Sequence, residues 1–264
     1  MGGWVRLLLA GALAGTLPGC RSSPQVAAAG GPAAAKERSG ETTAPHAPSP
    51  AADQPLFRLP ADVHPTREAV ELEVVPDREG FTGRVAITLR LEQPRTDLYL
   101  SARELKLSDA TLELGSEVLA VAIEPDDARG AARFVLPRPV GPGAATLRLS
   151  FSGRYDPHLA GLYRVKVQDR LYAFTQFEAI DARRAFPCFD EPSFKIPWEL
   201  TVTVRAGDTA VSNTPVLDEA PAASGLKTVR FQATRPLPSY LVVLAVGEFD
   251  VVAARTDSEG SLGR

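Results

Sequence analysis

Across residues 85–91 large aliphatic side chains fall at every second position, with Val85, Ile87, Leu89 and Leu91 separated by Ala86, Thr88 and Arg90. A strand sends successive side chains to opposite faces, so a period of two buries one face and wets the other. The pattern recurs at Leu98 and Leu100, Leu105 and Leu107, Leu112 and Leu114, Leu119 with Val121 and Ile123, Phe134 with Leu136, and Leu147 with Leu149 and Phe151. Turn formers punctuate these runs, as in Pro76-Asp77-Arg78-Glu79-Gly80, Pro125-Asp126-Asp127 and Gly141-Pro142-Gly143. No long amphipathic helical stretch competes. The expected fold class is therefore all-β, a twisted antiparallel, saddle- or sandwich-like domain over residues 56–264, long enough for a substantial core. A last strand is expected at residues 247–254, before a turn at Ser258-Glu259-Gly260, and its outer edge would lack a partner.

The preceding residues read differently. Residues 1–19 carry Arg6, an apolar run at 7–17 and then Leu17-Pro18-Gly19-Cys20, the layout of a lipoprotein signal peptide with Cys20 as the lipid attachment point. The apolar run is too short for a transmembrane helix, which needs about 20 residues. Secretion with Cys20 unmodified is the competing reading, because Pro18 is an unusual neighbour for a modified cysteine. Residues 20–55 are rich in Ala, Pro, Gly and Ser, with Val26 the one large aliphatic residue, so they are expected to form a disordered tether. Together these predict an exported, membrane-anchored lipoprotein, periplasmic or at the cell surface. The formal net charge of -3, with both signs interspersed, argues against a nucleic-acid partner.

Residues 174–195 break the strand pattern with a dense aromatic, charged and proline-bracketed segment, the kind of loop that carries function. Tyr172 to Phe174 read as the end of a strand. Asp181 is placed to N-cap one helical turn over Ala182 to Ala185, which Pro187 ends. Phe186, Phe189 and Phe194 can anchor the excursion, and Cys188 reads as a small buried hydrophobe with no disulfide partner. Asp190 and Glu191 are adjacent, diverge in direction, and are expected to cap backbone donors or pair with Arg183, Arg184 or Lys195 rather than form a catalytic dyad. Glu178, between the strand end and the turn, has the placement of a binding carboxylate.

Thr175-Gln176-Phe177-Glu178, followed by Asp181-Ala182-Arg183-Arg184-Ala185-Phe186-Pro187-Cys188-Phe189-Asp190-Glu191-Pro192, closely resembles the signature of the zinc aminopeptidases of the aminopeptidase N and leukotriene hydrolase type, in their amino-terminal β domain. Weaker likenesses at Arg58-Leu59-Pro60, Phe81-Thr82-Gly83, Gly161-Leu162-Tyr163-Arg164, Ser212-Asn213-Thr214-Pro215 and Pro238-Ser239-Tyr240-Leu241 extend it over nearly all of residues 56–253. The resemblance implies metallopeptidase chemistry on peptides, with Glu178 contacting the substrate's free α-amino group and Gln176 lining the pocket for its first side chain.

The chain departs from the family in two places. Glu68 stands where an aromatic residue is usual after Pro65, which puts the packing of the first strand in question. The second departure is the metal site: the family binds zinc through His-Glu-x-x-His and a further Glu, and no such motif is present, since His46, His64 and His158 are far apart in sequence. The resemblance therefore places zinc in a separate catalytic domain, which makes this chain an amino-terminal portion, whether fragment, truncated gene product or split reading frame. Such a portion would anchor substrate and be inactive alone. A complete, lipid-anchored, non-catalytic β binding module is the alternative.

Overall fold

The computed structural model describes residues 58–252 apart from Asp127. The signal peptide, the tether, Cys20 and the turn at 258–260 lie outside the described residues.

Fifteen strands are described: β1 (Val63–Glu73), β2 (Gly80–Leu91), β3 (Arg95–Ser101), β4 (Lys106–Leu114), β5 (Glu117–Ala120), β6 (Ala122–Asp126), β7 (Ala131–Val140), β8 (Gly143–Arg154), β9 (Gly161–Val167), β10 (Arg170–Gln176), β11 (Trp198–Arg205), β12 (Thr209–Ser212), β13 (Val216–Pro221), β14 (Leu226–Phe231) and β15 (Leu244–Gly247). They form an eight-stranded sheet in the order β13-β14-β11-β1-β2-β8-β4-β5, a four-stranded sheet β12-β15-β10-β9 and a three-stranded sheet β3-β7-β6. The all-β expectation holds, with one correction. β1 and β11 run parallel, so the large sheet is mixed rather than antiparallel. Parallel neighbours need a long crossover, and everything from β2 to β10 supplies it here.

The alternation read in the sequence is the alternation of burial. Val85, Ile87, Leu89 and Leu91 of β2 are buried, and they meet Leu147 and Leu149 of β8 on the same face. Leu98 and Phe134 from the three-stranded sheet, Leu162, Ala173 and Val246 from the four-stranded sheet, and Phe186 and Phe189 from the intervening loop join them in one continuous core. Two expected runs, at Leu105-Leu107 and Leu112-Leu114, prove to border and share a single strand. β4 is kept in one piece by an irregularity between Ser108 and Thr111, where Asp109 takes a positive φ of 54°.

The end of the chain corrects a second expectation. The strand lies at Leu244–Gly247 rather than 247–254, and it is paired on both sides, with β12 and with β10. Its buried residues Leu244 and Val246 fix that register, since a shift by one residue would turn them outward. Residues 248–252 continue without strand structure.

Candidate functional site

β10 delivers the candidate residues. Its last residue, Gln176, pairs with Gly161 of β9, and the chain then enters the loop. Phe177 turns inward, only 2% exposed, and its ring meets Phe186 edge-on at 5.6 Å; Phe186 in turn packs on Trp198 at 5.6 Å. Gln176, the last strand residue, and Glu178, in the turn that follows Phe177, are both exposed. Thr175 locks the strand end from the other side, its Oγ1 accepting from the Leu244 amide at 2.8 Å and donating to the Leu244 carbonyl at 3.3 Å. Asp181 N–H donates to the Phe177 carbonyl at 2.9 Å and closes the bend that contains Glu178. The Glu178–Ala179 peptide bond is cis. Glu178 makes no ion pair or side-chain hydrogen bond with any described residue, so its carboxylate is available to a ligand.

The loop that follows is held by charge. A single 3-10 turn forms at Ala182–Arg184, but Asp181 does not cap it through its side chain; the carboxylate accepts from Arg184 Nε at 2.9 Å instead. Arg184 also reaches Asp156 and Glu104, at 3.3 and 2.7 Å. Asp190 is buried and accepts from Arg183 Nε at 2.8 Å and from Ser239 Oγ at 2.5 Å, while Arg183 Nη2 donates to the Asp190 carbonyl at 3.0 Å. Glu191 caps a backbone donor, the Leu59 amide, at 2.7 Å. Both acids therefore hold structure, as expected. Cys188 is a free, buried thiol whose backbone bridges Ser101 at the end of β3. Burial, with Asp190 and Glu68 nearby, pushes that thiol well above its ordinary value, so it is held as an inert SH.

Ser239 carries no signal of a role in the sequence around it, although it stands in the matching segment Pro238-Ser239-Tyr240-Leu241. Its contribution depends on a contact across 49 positions, which local pattern does not reveal. A shallow cavity of about 680 Å³ lies on the eight-stranded sheet, lined by Glu71, Arg84, Ser150, Thr203 and neighbours. It includes neither Gln176 nor Glu178 and is open and polar, so the site rests on the strand end rather than on this hollow. Among the described residues no three His, Cys, Asp or Glu side chains gather in an arrangement that could hold a metal ion. The described residues therefore do not fit zinc.

A family model described as the peptidase M1 N-terminal domain matches residues 64–241. Aminopeptidase M1-A of Oryza sativa subsp. japonica is 38% identical over 213 residues, covering 75% of this chain and 24% of the relative. Puromycin-sensitive aminopeptidase of Caenorhabditis elegans is 32% identical over 218 residues, covering 80% and 23%. Aminopeptidase N of Acetobacter pasteurianus is 32% identical over 205 residues, covering 76% and 57%. The chain thus spans about a quarter of the length of the rice and nematode relatives.

Proposed function

Because this chain belongs to the peptidase M1 family, through that family's N-terminal domain, we propose that it is the part of a zinc aminopeptidase that holds the free amino terminus of a peptide. Glu178 is the anchoring carboxylate, and Gln176 lines the pocket for the first side chain. The observation that carries this reading is the exposed carboxylate of Glu178, which makes no ion pair or side-chain hydrogen bond with a described residue and follows directly on the buried Phe177. A peptide ammonium placed against this exposed carboxylate gains an ion pair of about 0.2–1 kcal/mol. An acetylated or internal position brings no charge to that carboxylate, and the difference selects chain ends. In this reading zinc and the hydrolytic step belong to a portion of the enzyme other than residues 58–252. The proposal extends to location, from the layout of residues 1–20: the protein is exported and anchored through a lipid on Cys20, and incorporation of labelled palmitate that survives Cys20→Ala would remove that part.

The anchoring role is tested by titrating the chain with leucinamide and with N-acetyl-leucinamide through the millimolar range while following backbone amide resonances. The amides of Gln176 and Glu178 should shift with the free amine and stay still with the acetylated compound, and Glu178→Gln should abolish the response without changing the fold. Equal responses to the two compounds, or an unchanged response in the variant, would return Glu178 to an ordinary surface charge.

A further inference from the structure

Glu68 lies in the middle of β1 with 0% of its surface exposed, and neither carboxylate oxygen meets a hydrogen-bond donor among the described residues. Alternation explains its direction, because Val70 and Leu72 on the same face are buried while Arg67 faces out and pairs with Glu199. Its partners in register are Ile87 of β2 and Trp198 of β11. Ile87 has no donor, and the Trp198 indole N–H is committed to the Leu237 carbonyl at 2.9 Å. The 186–190 loop reaches this place through Phe186, whose ring packs on Trp198, the register partner of Glu68, at 5.6 Å; it brings the Asp190 carboxylate, whose charge acts on Glu68, and the Cys188 thiol, on which both acids act. The cation in the cluster, Arg183, is already engaged with Asp190 at 2.8 Å. An ionised Glu68 would thus have no counter-ion, no donor and a like charge for a neighbour. A buried carboxyl in that position is far cheaper to keep protonated.

We propose that Glu68 is carried in the fold as a neutral carboxylic acid whose ionisation unseats the 186–190 loop from β1, so that rising pH loosens the strand end that presents Gln176 and Glu178. The consequence for ligand presentation rests on the anchoring role of Glu178; the proton linkage does not. Burial first, and the Asp190 charge second, push the Glu68 carboxyl well above its ordinary value of 4.5. Above that ordinary value the folded chain retains a proton that the unfolded chain has released. The stability due to Glu68 is therefore complete below about pH 4.5 and is lost progressively as pH rises toward the raised value.

The test is urea unfolding of the 264-residue chain and of Glu68→Gln from pH 4.5 to 9, followed by far-ultraviolet circular dichroism. Gln keeps the shape without titrating, and ionisable groups that do not interact with Glu68 cancel in the ratio of the two unfolding constants, which leaves the titration of Glu68 together with its coupling to Asp190 and Cys188. That ratio should move in favour of the variant by up to about tenfold per pH unit. In the native wild type the Trp198 indole N–H resonance should shift over the same range, because that ring packs on Phe186, and it should stay fixed in the variant. A ratio that is constant with pH, or a static Trp198 resonance in the wild type, overturns the proposal. Should the variant fail to fold, the carboxyl-carbon resonance of Glu68 in the wild type decides: titration far above 4.5 supports the proposal and titration at the ordinary value overturns it. A moving ratio with no response to leucinamide leaves this proposal standing and removes the anchoring role, and the reverse pattern does the opposite.

Discussion

Asp190 shows how much a single buried charge organises. Its carboxylate bonds the 3-10 turn through Arg183 and the segment before β15 through Ser239, so one side chain ties together three stretches of chain that meet behind the strand end bearing Gln176. Removing the charge while keeping the shape leaves Arg183, itself largely buried, without its counter-ion. Asp190→Asn should therefore destabilise the fold by about 3–5 kcal/mol, the range found when one partner of a buried pair is lost. Ser239→Ala removes one hydrogen bond to a charged group and should cost about 1.5–3 kcal/mol. Denaturant unfolding of both variants at one pH checks the order; an Asn variant no less stable than the Ala variant would mean that the Arg183 pair contributes little. A structural role for Asp190 and Glu191, capping backbone donors or pairing with Arg183, Arg184 or Lys195, was legible in the sequence, since the two acids sit between prolines close to three cations. The choice of Arg183, and the arrival of Ser239, were not legible because they depend on where distant strands bring the chain.

At the scale of elements, the loop is set by what β9 allows beneath it. Gly161, the first residue of β9, has a φ of +63°, and a Cβ there would come within 2.7 Å of Arg184 Cβ. Gly115, in the turn between β4 and β5, has nearly the same φ, +61°, with nothing within 4 Å of the added atom. Alanine at Gly115 should cost only the left-handed backbone term, about 1–2 kcal/mol. Alanine at Gly161 adds displacement of Arg184, and with it strain on the contacts to Asp156, Asp181 and Glu104, so its loss of stability should exceed that of Gly115→Ala by about 1 kcal/mol or more. Unfolding free energies that agree within about 0.5 kcal/mol would show that Arg184 yields without penalty. Period-two patterning revealed the strands because half-burial leaves its mark on every second residue. It missed the irregularity in β4 and the side-chain role of Asp181, for which the local sequence permits two solutions and the tertiary contact with Arg184 selects one.

For the whole molecule, strand order was the least legible property, because nothing in the composition of β1 or β11 says that these distant segments pair in parallel. The same gap produced the expectation of an open final strand at 247–254, and with it an edge available to other chains. β15 instead lies inside its sheet, and the edges that remain among the described residues are poor templates for further pairing. β13 is exposed along its length but carries Asp218, Glu219 and Pro221; β5 and β12 are four residues each; β9 presents Arg164 and Lys166; β6 carries Glu124, Pro125 and Asp126; and β3 is bridged at Ser101 by Cys188. Short strands, charges and proline are the means by which sheet edges avoid recruiting another chain. Val211, Leu241 and Val243, which lie close together where β12 and the chain after it run beside the segment leading into β15, are each between 46% and 47% exposed, and single exposed aliphatics such as Val118 and Leu159 are ordinary on monomers. Residues 54–264 should therefore sediment as a monomer at micromolar concentration, and salt should matter most at the β9 edge, which Arg164 and Lys166 protect by charge. A concentration-dependent dimer in sedimentation equilibrium would point to edge pairing after all, and its loss on Val211→Lys would assign the contact to β12.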